Sequence, residues 1–115
     1  MRRLIGTYTL GIQSIRVYGR AGNGAEFDCG AAEMTLGLDH DWPGVVTELC
    51  HEAIEMCAAQ MGLRWAPAPD FSGAADGWLF VMTHPQMSEV SARVGHMLSD
   101  ALPDLATAHK KHARK

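Results

Sequence analysis

The chain has 115 residues, 47% of them hydrophobic and 20% charged, with a formal net charge of −3. That size and balance describe one globular domain and exclude two separate cores and an intrinsically disordered chain. A membrane span is excluded as well, because no apolar run approaches the ~20 residues that one needs.

The charge is unevenly placed. No lysine or arginine lies between Arg20 and Arg64, an interval that holds Glu26, Asp28, Glu33, Asp39, Asp41, Glu48, Glu52 and Glu55, whereas every lysine falls within 110–115. An acidic middle and a basic end point to a bound cation in the former or a partner at the latter. The basic end has few charges, no interleaved aromatics and an acidic domain behind it, which argues against nucleic acid. The cysteines are Cys29, Cys50 and Cys57, an odd number with no C-x-x-C pair. Met1 to Gly6 lacks an unbroken apolar core and a small-residue cleavage site. The expectation is therefore a reducing cytoplasm, with Cys50 and Cys57 as small core residues on one side of a helix.

In chain order, residues 1 to 10 are mixed and give little signal. Ile12 to Tyr18 is β-branched and aromatic and predicts a strand, and the glycines and Asn23 of 19–24 predict a turn. Ala25 to Cys29 is a candidate second strand. Gly30-Ala31-Ala32 would turn it into a third at Glu33 to Leu38, where Met34, Leu36 and Leu38 alternate with Glu33, Thr35 and Gly37 as in a half-buried antiparallel strand. Asp41 then suits a helix N-cap, Pro43 the first turn and Gly62 the stop. Val46, Leu49, Cys50, Ala53, Ile54, Cys57 and Met61 form the apolar stripe of that helix, leaving Glu48, His51, Glu52 and Glu55 on the other arc.

Trp65 to Gly77, with Pro67, Pro69 and Gly73, predicts a loop, and Trp78 to Met82 a short strand or extended connection. A second helix opens at Thr83-His84-Pro85-Gln86. His84 is the favoured cap because proline disfavours a helical residue before it, although Thr83 and Gln86 have capping-box spacing. Met87, Val90, Val94, Met97, Leu98 and Ala101 form its buried face, and Glu89–Arg93 and His96–Asp100 can pair outside. Pro103 is expected to interrupt, with a last short helix over Asp104 to His112. The fold class expected from these elements is α+β, a small antiparallel three-stranded sheet packed on two helices. Residues 1–108 form the single domain and 109–115 a basic C-terminal tail.

The chemistry gathers at Glu48-Leu49-Cys50-His51-Glu52-Ala53-Ile54-Glu55. His51 and Glu55, four apart, lie about 40° apart around the helix, so both can reach one metal ion. Glu52 is turned about 100° from His51, the position from which the glutamate of an H-E-x-x-H helix reaches a metal-bound water as general base. Here the second histidine of that pattern is Glu55. No basic residue lies on the helix, and the like charges of Glu48 and Glu52 would be relieved by a cation. A third ligand must come from elsewhere, with His84, Glu89 and His96 as candidates.

Two segments, Met34 to Asp39 with Leu49 to Glu55 and then Met82 to Val90, together resemble the minimal zincin-type metallopeptidase-like proteins of bacteriophages. The resemblance covers roughly residues 12 to 101. It implies a zincin-like arrangement of the sheet on an active-site helix, with zinc held by His51, Glu55 and His84 and Glu52 as the catalytic base. Glu89 would be a substitute third ligand or a supporting partner. Glu55 in place of histidine departs from the commoner pattern and makes the site less positive. The expectations are a zinc-dependent, peptidase-like hydrolase of protein or peptide substrates, or a non-catalytic binding protein on the same scaffold that blocks or recruits a host or virion protein.

Overall fold

The computed structural model describes residues 1–65 and 79–114. Strands β1 (Arg2–Leu10), β2 (Gln13–Arg20), β3 (Ala25–Asp28) and β4 (Glu33–Gly37) precede helix α1 (Trp42–Gln60). Two-residue strands β5 (Arg64–Trp65) and β6 (Leu79–Phe80) then pair antiparallel, and helix α2 (His84–Ala113) follows. The proline-rich loop and Trp78 lie outside the described residues.

The first four strands form one sheet in the order β1-β2-β4-β3. This corrects the expected three-stranded antiparallel sheet in two respects. First, residues 2–10 are a strand, with Tyr8 and Leu10 in the core and Thr7 and Thr9 outside. Their alternation is hidden in the sequence because the register slips between Leu4 and Gly6, leaving Ile5 as the extra residue of a bulge. The two-residue turn Gly11–Ile12, with Gly11 at φ +64°, joins β1 to β2.

Second, β4 pairs parallel to β2. The 21–24 loop carries the chain past the place β4 will take, so β3 becomes the edge and β4 returns between it and β2. That loop lies directly on Gly37, whose N–H donates to the Gly24 carbonyl at 2.8 Å. A Cβ at Gly37 would come within 2.4 Å of the Gly22 carbonyl oxygen, so only glycine lets the crossing close.

Both helices cover one face of the sheet, α1 over β3 and β4 and α2 over β1, and they pack on each other. Ile15, Val17, Met34, Leu36, Leu49, Met56, Met97 and Leu105 fill the space between. The opposite face is polar: the Arg2 guanidinium stacks 3.8 Å over Tyr18, donates to Thr35 and pairs with Glu33.

α1 begins as expected, with the Asp41 carboxylate accepting from the Gly44 N–H at 3.0 Å and Pro43 in the first turn, and Gly62 (φ +69°) follows its end. Its buried face matches the expected one at Leu49, Ala53 and Cys57 and departs from it at Val46, Cys50 and Ile54. Val45, Leu49, Glu52, Ala53, Met56 and Cys57 point inward, while Ile54 is 39% exposed and Cys50 only half-buried. The helix is rolled toward Glu52, so that Val45 and Met56 join Leu49 in the core it shares with the sheet and α2.

α2 is capped by Thr83, not His84. Thr83 Oγ1 accepts from the Gln86 N–H and the Gln86 side chain accepts from the Thr83 N–H, a reciprocal pair that leaves His84 as the first helical residue. The helix also continues through Pro103. Val94, Met97, Ala101 and Leu105 keep one buried face across the proline, and packing outweighs the lost backbone bond. Residues 109–113, expected as part of a tail, are the last turns of this helix. The His109 ring packs on Trp42 and its Nε2 meets the His40 carbonyl at 2.8 Å, and His112 bonds Asp39.

Candidate metal centre

One turn of α1 brings His51, Glu52 and Glu55 together, with a donor atom from each within 4.8 Å of the others. His51 Nε2 lies 3.2 Å from Glu55 Oε2. Two ligands of a tetrahedral zinc, each about 2.0–2.1 Å from the metal, stand about 3.3 Å apart, so this spacing suits a shared ion. His51 is 63% exposed at its side chain and Glu55 17%. The group is open to solvent on the histidine side and closed toward the core.

Glu52 forms the closed side. It is 6% exposed, between Leu49 and Met56 on the buried face, and its carboxylate has no hydrogen-bond or ion-pair partner among the described residues. Burial pushes its carboxyl above the ordinary glutamate range; the Glu55 charge raises it further, His51 opposes, and Glu48 and Glu26 add smaller upward contributions. A carboxylate on a buried helix face, with no hydrogen-bond or ion-pair partner among the described residues, is a suitable donor for a cation.

The neighbouring acid is handled differently. Glu48 Oε1 lies 3.7 Å from His40 Nε2, which is also 3.4 Å from the Gly24 N–H. The same nitrogen cannot accept from Gly24 and donate to Glu48, so the ring's protonation state chooses between them. Glu48 has this partner and Glu55 has His51, so Glu52 is the one of the three acids without an ion-pair partner among the described residues.

The other expected participants lie elsewhere. His84 is exposed at the start of α2 and is not part of the His51 group. Glu89 is paired with Arg93 at 2.9 Å, and His96 with Asp100 at 3.5 Å. Among the described residues, the cluster therefore has no donor from outside α1. Glu52, expected to stand back from the ion, is instead one of the three donors close enough to share it.

Sequence reading overlooked two neighbours, Glu26 on β3 and His40 before α1. It also overlooked the burial of Glu52, for which a signal exists: Leu49 three residues before and Met56 four after place it on an apolar stripe.

No family model, curated protein or solved structure matches this chain.

Proposed function

We propose that His51 and Glu55 bind a divalent metal ion, zinc in the first instance, with Glu52 beside it, and that the site serves a peptidase-like hydrolase. The observation that carries the metal reading is Glu52, a residue 6% exposed whose carboxylate has no partner among the described residues, beside a histidine and a second carboxylate at ligand spacing. His51 and Glu55 would hold the ion from the solvent side. A bound zinc supplies Lewis acidity, which brings the ionisation of water toward neutral pH.

The chain's own contribution is Glu52. Its carboxyl is held above the usual range by burial and by Glu55, which moves its proton affinity toward that of a general base working near neutrality. Leu49 and Met56 keep bulk water from its inner side. The step from metal to peptide hydrolysis rests on the resemblance to minimal zincin-type proteins of bacteriophages, with protein or peptide substrates. His84 as third ligand and Glu89 as its substitute belong to that same proposal.

A second reading is favoured by the lack of a described donor from outside α1: a metal-stabilised binding protein that recruits or blocks another protein without catalysis. The two readings separate in one set of variants. Metal content and zinc titration of the purified wild type should show one ion per chain, and His51→Ala should lose it. Glu52→Gln that keeps zinc but loses cleavage of a casein substrate supports the hydrolase with Glu52 as base; Glu52→Gln that also loses zinc makes Glu52 a ligand. Wild type that binds zinc and cleaves nothing supports the binding protein. Protein that emerges from zinc-supplemented growth without metal and takes up none in titration overturns both.

A further inference from the structure

At the opposite edge of the sheet from β3 and Glu52, β1 has a partner on one side only. Among the described residues its outer edge is a row of backbone donors and acceptors with no strand against it, which is the template that strand addition uses. Across the first residues of β1 and the last of β2, under the C-terminal half of α2, runs a half-open groove of about 520 Å³. The Ile5 bulge contributes to it, since Arg3, Leu4 and Ile5 all line the groove in succession. Ile5, Leu38 and Ala108 form its apolar lining, and Leu4, 56% exposed, is the register partner of Tyr18 and shares the sheet face away from the helices.

The rim of this groove is basic in an acidic protein. Arg3, Arg20, Lys111 and His112 line it, against a single carboxylate, Asp104. That carboxylate accepts the Tyr8 hydroxyl at 2.7 Å, and His112 is taken by Asp39. Arg3 and Lys111 have no ion-pair partner among the described residues. β1 itself, Arg-Arg-Leu-Ile-Gly-Thr-Tyr-Thr-Leu, contains no acid. A second copy of β1 would bring arginines and no carboxylate to this edge, so charge favours a different strand.

We propose that β1 and this groove bind an extended acidic segment of another protein by strand addition. The segment's backbone would pair with the free edge, its acidic side chains would enter the groove on the helix side to meet Arg3 and Lys111, and its alternate apolar side chains would lie on the other face of the sheet beside Leu4. This surface is independent of the metal reading and stands whether or not α1 binds an ion.

The test is fluorescence anisotropy of the full chain with a labelled octapeptide of alternating Glu and Val. A Lys–Val peptide and two isomers of the Glu–Val peptide, N-methylated on every Glu or on every Val, complete the set. In an extended strand these two sets of N–H groups point to opposite edges. The expected result is binding of the Glu–Val peptide about tenfold or more tighter than the Lys–Val peptide, weakening as salt is raised. One N-methylated isomer should lose about tenfold while the other binds like the parent. Arg3→Glu/Lys111→Glu should lose about tenfold with its thermal midpoint retained, and Arg3→Ala/Lys111→Ala serves if the charge reversal does not fold.

No binding of the Glu–Val peptide, or equal binding of both charge types, overturns the proposal. Equal binding of both N-methylated isomers overturns strand addition in favour of capture of a small amphiphilic anion by the groove. A wild type that sediments as a dimer, and that Thr7→Pro or Thr9→Pro in β1 turns into a monomer, assigns the edge to a second copy and overturns it too.

Discussion

Replacing Glu52 by methionine should make the metal-free protein more stable. Glu52 is 6% exposed on the packed face of α1 and has no hydrogen-bond partner among the described residues. A fully buried polar group left unsatisfied costs about 1–3 kcal/mol, the low end suits a carboxylate whose oxygens keep some solvent contact, and methionine has similar length with no group to satisfy. Taking about 1 kcal/mol and an unfolding entropy of ~2.1 cal/mol/K per residue, the 115-residue chain should gain about 4 °C in Tm. The pH dependence gives a second check. Folding raises the Glu52 carboxyl above its ordinary range. Its favourable contribution is therefore fully present below the unfolded carboxyl pKa and is lost as pH rises through the folded value. The advantage of Glu52→Met should be greatest near pH 7 and shrink toward pH 4. Zinc at about 100 times its Kd should add about 2.7 kcal/mol to the wild type and close the gap from the other side. The assay is thermal and urea unfolding of chelator-treated wild type and variant across that pH range. A variant destabilised by about 1 kcal/mol or more at pH 7, or an advantage that does not change with pH, would show that the carboxylate is satisfied within the fold and refute the reasoning.

Three further substitutions probe the frame around the site. Gly37→Ala puts a Cβ 2.4 Å from the Gly22 carbonyl oxygen, a backbone atom that cannot turn aside; a loss of about 2–3 kcal/mol in urea unfolding is expected, and a loss below ~0.5 kcal/mol would mean that the 21–24 crossing is loosely held. Tyr8→Phe removes the 2.7 Å bond to Asp104 and should cost about 1 kcal/mol. The Tyr8 phenol is raised by burial first and then by that bond. Its contribution is present below the ordinary phenol range and lost above it, so the variant should show a flatter alkaline limb in Tm against pH. Asp39 is held below the usual carboxylate range by its bond to His112 and then by the Gly22 N–H. That contribution is present above the unfolded carboxyl pKa and lost as pH falls through the folded value, so Asp39→Asn should lower Tm near neutral pH and converge with wild type in acid.

The sequence by itself determined the local pieces. Asp41, Pro43 and Gly62 bracket α1 because capping and left-handed φ are properties of a few neighbouring residues. The three strands from β2 to β4 were legible from β-branched and alternating residues, as were the Glu89–Arg93 and His96–Asp100 pairs from helical spacing. His51 and Glu55 meet for the same reason, since four residues of helix put them side by side whatever surrounds them. What lies beyond one element was decided by tertiary structure. β1 was hidden because a single bulged residue resets its alternation, and β4 runs parallel to β2 because a loop crosses over Gly37. Pro103 sits within α2 because packing on both sides of it outweighs one backbone bond. The roll of α1 about its axis was the least legible quantity, since two apolar faces compete along it and only the sheet and α2 together select one. That selection turned Glu52 inward and left Ile54 exposed. A polar helix face with a metal-binding spacing became a carboxylate on a buried face, closed on one side by the core and open through His51 on the other.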